Sequence, residues 1–369
     1  MNNIVALRQC GQYDYDSVYA IISEIYHACR GPVLENKKVL VKPNILRDID
    51  PEKAVTTHPV VVEALIRFLQ SNGATVLVGD SPAVHLKGFR GIKSGIMEVC
   101  NKTGARWVDF LENPSEVNLA DGRIRIASVI KSADLIISVP KLKNHEFVYF
   151  SGAVKNTLGL VPGFSKSFTH AMHQDVTGYS SFLLDLNEAV TPGFFLMDGI
   201  MSLEGRGPGV AGTPVLTGVL IGSSNPVALD MIACTVAGYD PLKIPTNRIA
   251  TERGLWIKSK DEIFYDGPDI NEVVRKDFKR TPISGNSNII LRFVLRRIRS
   301  VRRLQKRPVF IQSRCIGCRE CVRICSQNAL AVHPDERNKI LLTDQKCIRC
   351  YCCSEVCPAD AVKIRIKIF

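Results

Sequence analysis

Two cysteine runs near the C-terminus constrain this chain more than any other feature of its sequence. Each run has the spacing C-x2-C-x2-C-x3-C, and the second is followed directly by Pro358. Thiolates are soft ligands that suit iron–sulfur clusters, and this spacing is typical of cysteines that hold [4Fe-4S] clusters. The sequence therefore predicts two [4Fe-4S] clusters, and the eight candidate ligands are Cys315, Cys318, Cys321, Cys325, Cys347, Cys350, Cys353 and Cys357.

The two runs belong to a longer internal repeat. Residues 315–331 align without gaps on the segment that starts at Cys347, with an offset of 32 residues. This symmetry resembles the bacterial two-cluster ferredoxins along the whole segment. The resemblance implies that the fourth cysteine of each run ligates the other cluster. The implied ligand sets are Cys315, Cys318 and Cys321 with Cys357, and Cys347, Cys350 and Cys353 with Cys325.

Two positions depart from that pattern. Ser326 stands where the first run would carry proline, and this change removes no ligand. Cys352 has Glu320 as its counterpart in the first run, so we interpret Cys352 as a non-ligand. Zinc and disulfides are the alternatives for these cysteines. Structural zinc sites use four ligands in two pairs rather than two trios with crossed fourths, and disulfides need an oxidising compartment, of which the sequence gives no sign.

The rest of the chain has the composition of an ordinary globular protein. It has 369 residues, 46% hydrophobic and 23% charged, which is enough for a main domain and a small appended one. The N-terminal residues lack the pattern of a signal peptide, and no apolar run approaches the roughly 18 residues of a membrane span. We therefore expect a cytoplasmic protein with an α/β domain over 1–285, a linker over 286–309 and a two-cluster ferredoxin domain over 310–369.

Much of the net charge of +12 lies in one segment. Residues 290–314 contain nine Arg or Lys and no Asp or Glu, and apolar residues recur at helical spacing as far as Leu304. This pattern predicts a basic amphipathic helix over 290–307. The helix could lie on an anionic membrane, dock an acidic redox partner protein or pack on the main domain. No nucleic-acid-binding module accompanies it, so we expect no nucleic-acid partner.

Residues 1–285 alternate between β-branched apolar runs and helical patterns, which predicts an α/β domain with a mostly parallel sheet. The smaller C-terminal domain is expected to be α+β and ferredoxin-like. The strands predicted for the main domain are Lys38–Lys42, Thr75–Gly79, Asp134–Val139, Phe194–Met197 and Leu216–Gly222. Helices are predicted to begin at Thr57-His58-Pro59 and at Asn225-Pro226. Residues 205–214 are rich in Gly and Pro and are expected to form a loop.

Polar side chains follow four of these strands, and ligands of open α/β sheets bind at the carboxyl ends of strands. We therefore predict a cationic cleft that binds a small anion through lysines and uses histidines as acid or base. Each of these residues could instead be a solvated loop residue. The sequence has no dinucleotide, P-loop or nucleophile-elbow motif. The candidate catalytic residues are Lys42, Asn44, Asp80, Lys143, His145, Lys155 and Asp198, with Lys141, His170 and Glu204 nearby in the predicted site.

The same segments carry a second resemblance. In order, VLVKPN, TTHPVVVEALIRFL, GDSP, PKLKNHEF, GAVKNTLGLVPG, MDGIMSLEGRGPGVAGTP and SSNPVALD resemble the family known as domain of unknown function number 362, over roughly residues 4–255. Many members carry a two-cluster ferredoxin module after this domain. The resemblance implies an iron–sulfur protein but no particular reaction. It also places Asn156, Glu204 and Asp230 at motif positions, beside the candidates already named.

Three hypotheses for function follow. The leading one is an oxidoreductase that relays electrons between its clusters and a small anionic substrate in the α/β domain. The second is a non-enzymatic ferredoxin-like electron carrier or adaptor that docks a redox partner protein. The third is a non-redox enzyme whose clusters are structural. A short distance between the cysteine runs and the predicted cleft would favour the first hypothesis.

Overall fold

The computed structural model describes residues 2–83, 88–163, 165–173, 175–283 and 306–365. The predicted helix over 290–307 lies outside these ranges except for its last two residues, of which Arg307 begins a strand. In the main domain the strands are β1 (Ile4–Gln9), β2 (Lys38–Pro43), β3 (Thr75–Val78), β4 (Arg106–Trp107), β5 (Ser115–Leu119), β6 (Gly122–Ile126), β7 (Leu135–Val139), β8 (Lys141–His145), β9 (Tyr149–Ser151), β10 (Phe194–Gly205), β11 (Gly212–Ser223) and β12 (Phe264–Asp266).

The helices of the main domain are α1 (Tyr15–Ala28), α2 (Pro59–Ser71), α3 (Ile96–Thr103), α4 (Ala153–Asn156), α5 (Ser165–Met172), α6 (Val176–Val190), α7 (Pro226–Val236), α8 (Pro245–Arg253) and α9 (Ile270–Val273). The starts of α2 and α7 were predicted, and each has a capping side chain before a proline in its first turn. The caps are His58, which accepts from the Val60 amide, and Asn225, which accepts from two amides.

Within the described residues, ten strands form one sheet. Eight of them form its main path, while β8 pairs with β10 and β9 pairs with β8. The main path runs β12-β1-β11-β10-β7-β2-β3-β4, and β4, β3, β2, β7 and β10 are parallel to one another. The antiparallel pairs are β1 with β11, β10 with β11 and β8 with β9. The prediction of an α/β domain with a mostly parallel sheet is therefore confirmed.

Side chains of successive strand residues enter different cores, because residues alternate between the two faces of a sheet. In β2, Val39 and Val41 pack with α1, α2 and α3, whereas Leu40 packs with α6 on the other face. Both faces are covered, which explains why the parallel strands are nearly continuous apolar runs. None of the described helices has the length and apolar composition needed to cross a membrane.

Two segments extend the sheet beyond the prediction. The strand expected to end at Met197 continues to Gly205, with an irregularity between Gly199 and Met201. Residues 141–145, expected as a loop, form β8, which pairs with β10 and β9. The Gly- and Pro-rich loop is accordingly shorter than 205–214, because β10 ends at Gly205 and β11 begins at Gly212.

The C-terminal module comprises β13 (Arg307–Phe310), α10 (Glu320–Ile324), β14 (Leu330–Val332), β15 (Ile340–Leu342), α11 (Cys352–Glu355) and β16 (Val362–Arg365). Strand β13 pairs with β16 and β14 with β15, both antiparallel. The 32-residue repeat of the sequence recurs in the backbone. Arg319 and Tyr351, the residues before the two helices, both have φ of 64°, and Asn328 and Asp360 both have φ of 47°. The module is therefore a small α+β unit with internal symmetry.

Candidate functional site

The thiols of the first implied ligand set lie close to one another in the module. Burial raises the pKa of the Cys321 thiol, and with the neighbouring thiols of Cys318, Cys357 and Cys315 it brings that pKa to about 12. These four residues are the first implied set, including the fourth cysteine from the other run. Their proximity fits the crossed arrangement.

The second set lines a cavity of about 400 Å³ in the module. The thiols that raise the pKa of Cys353, besides its burial, belong to Cys350, Cys347, Cys321 and Cys325. All four cysteines of the second implied set line the cavity, namely Cys325, Cys347, Cys350 and Cys353.

The fourth cysteines of the two runs have equivalent surroundings. The Ala329 amide donates to Cys325 Sγ at 3.3 Å, and the Ala361 amide donates to Cys357 Sγ at 3.2 Å. Amide donors stabilise the negative charge of a thiolate, which is the form that binds iron. Two sets of converging thiols with matched amide donors fit [4Fe-4S] clusters. In the ranges described, no three His, Cys, Asp or Glu side chains are placed to hold a single metal ion.

A second cavity, of about 650 Å³, lies at the carboxyl ends of β2 and β3, and Lys143 of β8 also lines it. We call it the cleft. The candidate residues that line it are Lys42, Asn44, Asp80, Lys143, Lys155 and His170, together with Asn156. The strand-end argument therefore brings most of the predicted polar residues together.

Lys42 and Asp80 form a buried ion pair at the base of the cleft. Lys42 Nζ lies 2.9 Å from Asp80 Oδ1 and donates to Asn156 Oδ1 at 3.1 Å. The Ile45 amide donates to the other carboxylate oxygen at 2.6 Å. Burial raises the pKa of Asp80 and lowers that of Lys42, while each charge opposes the shift of the other. Gly159 lies so close to this pair that a Cβ there would collide with both side chains.

Lys143 is buried beside this pair but has only neutral partners. Its Nζ donates to the Val55 carbonyl at 2.9 Å and to the Asn44 side-chain oxygen. The Asn44 amide in turn donates to Asn156 at 2.9 Å. Burial holds the pKa of Lys143 well below its usual range, and Lys155 lowers it further. A lysine in this setting gains from an anion placed in the cleft, since opposite charge favours its protonated form.

Two further lysines line the cleft. Lys166 Nζ donates to the Ser81 and Pro82 carbonyls, and burial lowers the pKa of Lys166 to about 7. Lys155 forms no ion pair or hydrogen bond with any residue that the structure describes, and burial lowers its pKa too. The lining thus has four lysines and two carboxylates, Asp80 and Glu355. Lys166 had not been predicted, because its segment reads as an ordinary polar helix.

The two histidines of the predicted site are buried and neutral. The Nδ1 of His145 accepts from the Phe147 amide at 3.0 Å, and its Nε2 lies 3.3 Å from Glu355 Oε1. His170 stacks on Tyr179 with ring centroids 4.1 Å apart, and its Nδ1 has no hydrogen-bond partner among the described residues. Burial lowers the pKa of His170 to about 3 and holds that of His145 well below its usual range.

Asp198 lies in a separate buried network, because β10 continues past it. It pairs with Lys141 at 2.8 Å and accepts from the Tyr13 hydroxyl at 3.0 Å and the His58 amide at 2.9 Å. Neither Asp198 nor Lys141 lines the cleft. These contacts are those of a structural network that ties α1 and α2 to the sheet.

Two other motif carboxylates also serve local structure. Glu204 accepts from the Lys279 amide at 2.8 Å, and Asp230 accepts from the Ala153 and Val154 amides at the start of α4. Burial raises the pKa of Asp230 to about 7. Neither carboxylate lines the cleft.

The C-terminal module forms one wall of the cleft. Four of its residues line the cavity, namely Ile324, Cys352, Glu355 and Val356. Ile324 and Cys352 also line the cavity of the second thiol set. The two cavities therefore share these two residues as a common wall. The sequence did not predict Glu355 as a site residue, because only the packing of the module onto the main domain places it there.

Specific contacts hold the module in this position. The Arg47 guanidinium donates to both Glu320 carboxylate oxygens, at 3.0 Å for Nη2, and also to the Val356 carbonyl. Ala83 packs against Ile324, Cys352 and Val356. Glu320 is the counterpart of Cys352 in the repeat, so both residues at this repeat position contact the main domain.

Two family models match this chain. One, described as a domain of unknown function (DUF362), covers residues 39–235, and the other, a 4Fe-4S dicluster domain, covers residues 314–361. Together with the fold and the thiol sets, these matches define an iron–sulfur protein in which an α/β domain carries a [4Fe-4S]-binding module. The chain belongs to the DUF362 family. Both resemblances inferred from the sequence are confirmed.

Individual proteins extend this comparison. The chain is 30% identical over 258 residues to a thylakoid-associated protein of Synechocystis, a match that covers 68% of this chain and 79% of that protein. It is 34% identical over 66 residues to the archaeal-type glutamate synthase (NADPH) of Thermotoga maritima, which is 17% of this chain and 13% of that enzyme. Among solved structures, the lactate racemase apoprotein of Thermoanaerobacterium thermosaccharolyticum has a TM-score of 0.42 and 15% identity, over 64% of this chain and 57% of that one.

Proposed function

We propose that this protein is an oxidoreductase that exchanges electrons between two [4Fe-4S] clusters and a small anion bound in the cleft. The observation that carries the proposal is the shared wall of Ile324 and Cys352 between the cavity of the second thiol set and the cleft. Bound clusters would supply one-electron transfer with little change in geometry. A relay requires a short distance between the cluster and the bound substrate. A carrier whose main domain only docks a partner does not require the thiol set to lie beside the cleft.

The charge of the cleft supports an anionic substrate. Burying an unpaired charge is costly, yet Lys143 has only neutral partners and Lys155 has none among the described residues. An anion would stabilise both ammonium groups and would raise their pKa values again. The Lys42–Asp80 pair and Asn156 would fix the position of Asn44 and, through it, of Lys143.

A titratable group that lines the cleft supports a proton-transfer step in the proposed reaction. Glu355 lines the cleft, and burial raises its pKa. A group whose pKa is displaced toward neutrality is suited to proton transfer. We therefore assign proton exchange with the substrate to Glu355, which has the neutral His145 at 3.3 Å, and anion binding to Lys143, Lys155 and Lys166.

The test is a single-turnover experiment on the anaerobic full-length protein. We expect about eight irons per chain. After reduction with dithionite and its removal, the visible spectrum is followed while small anions that can accept electrons, such as 2-oxocarboxylates and reducible oxoanions, are added one at a time. We expect one class to reoxidise the clusters, and Lys155→Ala to slow that reoxidation while iron content stays unchanged. Reoxidation by no anion, or equal rates for the variant and the wild type, would contradict the proposal.

A matched control variant distinguishes the loss of a lysine in the cleft from the loss of a lysine elsewhere on the protein. Lys37→Ala removes an exposed lysine beside the amino end of β2, at the opposite end of this strand from the cleft. We expect this variant to behave as the wild type. We also expect a redox partner protein to supply or take the electrons, and the segment 290–307 to be the contact with an anionic membrane if there is one.

A further inference from the structure

The two halves of the ferredoxin module differ in the exposure of one equivalent residue. Ile316 follows the first cysteine of the first run and is 68% exposed. Its counterpart Ile348 lines the cavity of the second thiol set and is only partly exposed. Ile316 is therefore an exposed apolar side chain next to Cys315, a member of the first thiol set.

Three exposed arginines accompany the first cysteine run. Arg319 directly precedes α10, and Arg323 is an exposed residue of that helix. Arg337 is exposed, and its backbone packs against Gly317. In the described part of the chain, none of these three side chains forms an ion pair or a hydrogen bond.

Other arginines of the module are neutralised. Arg307 and Arg349 both pair with Asp344, and Arg314 pairs with Asp360. Three arginines of the module without such a pair, Arg319, Arg323 and Arg337, lie within or after the first cysteine run. We call the patch of Ile316, Arg319, Arg323 and Arg337 the Ile316 surface.

This surface borders the first thiol set, whereas the cleft adjoins the second. The cleft shares Ile324 and Cys352 with the cavity of the second set, whereas no cysteine of the first set lines either the cleft or that cavity. The module thus has one thiol set facing the α/β domain and one bordered by an exposed apolar residue and unpaired arginines.

We propose that the Ile316 surface docks an acidic one-electron carrier protein. Charge complementarity selects an acidic partner, the exposed isoleucine supplies the apolar contact, and the adjoining thiol set shortens the path for transfer. In each encounter the carrier loses one electron and this chain gains it. One part of this inference rests on the proposed function, namely that electrons pass from this surface to the cleft.

The test compares charge reversals at two places. Arg319→Glu/Arg323→Glu reverses the charge of the surface, and Lys37→Glu/Lys38→Glu makes the same change at the amino end of β2. The probe is an acidic plant-type [2Fe-2S] ferredoxin. Its Kd for the full-length protein is measured by calorimetry, and stopped-flow absorbance follows reduction by its reduced form. Both measurements are made at low and at high salt.

We expect the arginine reversal to weaken binding and slow reduction about 10-fold at low salt, with the difference shrinking at high salt. The lysine reversal should leave both unchanged. We expect Ile316→Ser to weaken binding at either salt concentration, because an apolar contact is not screened. Equal effects of the two reversals, or no effect of the arginine reversal, would overturn the inference. So would loss of binding to phosphatidylserine vesicles with unchanged carrier binding, since the surface would then face lipid.

The experiment separates this inference from the proposed function. Arg319→Glu/Arg323→Glu protein reduced by dithionite should be reoxidised by the substrate anion at the wild-type rate. If the anion fails to reoxidise even the wild type, the proposed electron relay is wrong. The Kd values for the carrier would still show whether the Ile316 surface is the docking site.

Discussion

His145 Nε2 of strand β8 lies 3.3 Å from Glu355 Oε1 of helix α11, and this contact joins the main domain to the iron–sulfur module. The Nδ1 atom of His145 accepts hydrogen bonds from the Phe147 and Val148 amides, so in the neutral ring the hydrogen resides on Nε2. Glu355 follows Cys353 by two residues. The group that can hold a proton is thus fixed directly to the helix that carries a cluster ligand.

Glu355→Gln should leave the iron content unchanged and slow anion-driven reoxidation about 100-fold, because a general acid–base group is lost. Burial raises the pKa of Glu355, so the wild-type rate should change with pH above the usual carboxyl range, and the variant should lack that limb. Stopped-flow rates across pH measure both effects. Asp335→Asn, which alters an exposed carboxylate of the same module, is the control. A variant with the wild-type rate and pH profile would rule out this role.

The main features that the sequence predicted are those that depend on local spacing. The 32-residue repeat predicts equivalent surroundings for Cys325 and Cys357, and the structure shows them. Polar residues after parallel strands predict that Lys42, Asp80 and Lys143 meet, since such strands end at one edge of a sheet.

The features that it missed depend on long-range packing. Asp198 seemed to follow a strand but lies inside one, because nothing in the segment marks how far β10 continues. Glu355 enters the cleft only because Arg47 and Ala83 hold the module there. No spacing rule in the sequence connects residues so far apart.

Asp80→Asn should destabilise the main domain by about 3–5 kcal/mol, because it leaves the buried Lys42 ammonium without its counter-charge. The double variant Lys42→Met/Asp80→Asn should be less destabilised than Asp80→Asn alone, since no charge remains to be buried. Anaerobic urea unfolding, followed by tryptophan fluorescence, gives the free energies. A double variant less stable than either single variant would show that the pair stabilises the fold through its charges.

The stability of the protein should increase as pH rises from about 7 toward the ordinary lysine pKa, in part because of Lys166. Burial lowers the pKa of this lysine from its usual value of 10.5 to about 7, so in that interval the unfolded chain binds a proton that the folded chain does not. One such group contributes a slope of up to about 1.4 kcal/mol per pH unit. Lys166→Met should reduce the slope by that amount, and Lys37→Met should not. Urea unfolding at several pH values tests this, and equal slopes for all three proteins would contradict it.

Cys325→Ala and Cys352→Ala should have opposite outcomes although both residues line the cavity of the second thiol set. Cys325 belongs to that set, so its loss should lower the iron content from about eight to about four per chain. Cys352 packs with Ile324, Val356 and Ala83 and lies beside Cys350, but it belongs to neither implied ligand set, so its variant should keep all of the iron. Iron analysis and electron paramagnetic resonance of the dithionite-reduced proteins distinguish these results.

Cys325→Ala and Cys357→Ala together test the order of the relay. Cys325→Ala protein should still be reduced by an acidic carrier, because the first thiol set is intact, but the substrate anion should no longer reoxidise it. Cys357→Ala should give the reverse, since that residue belongs to the set beside the Ile316 surface. If Cys325→Ala protein were reoxidised by the anion at the wild-type rate, electrons would have to reach the cleft without the thiol set that shares its wall.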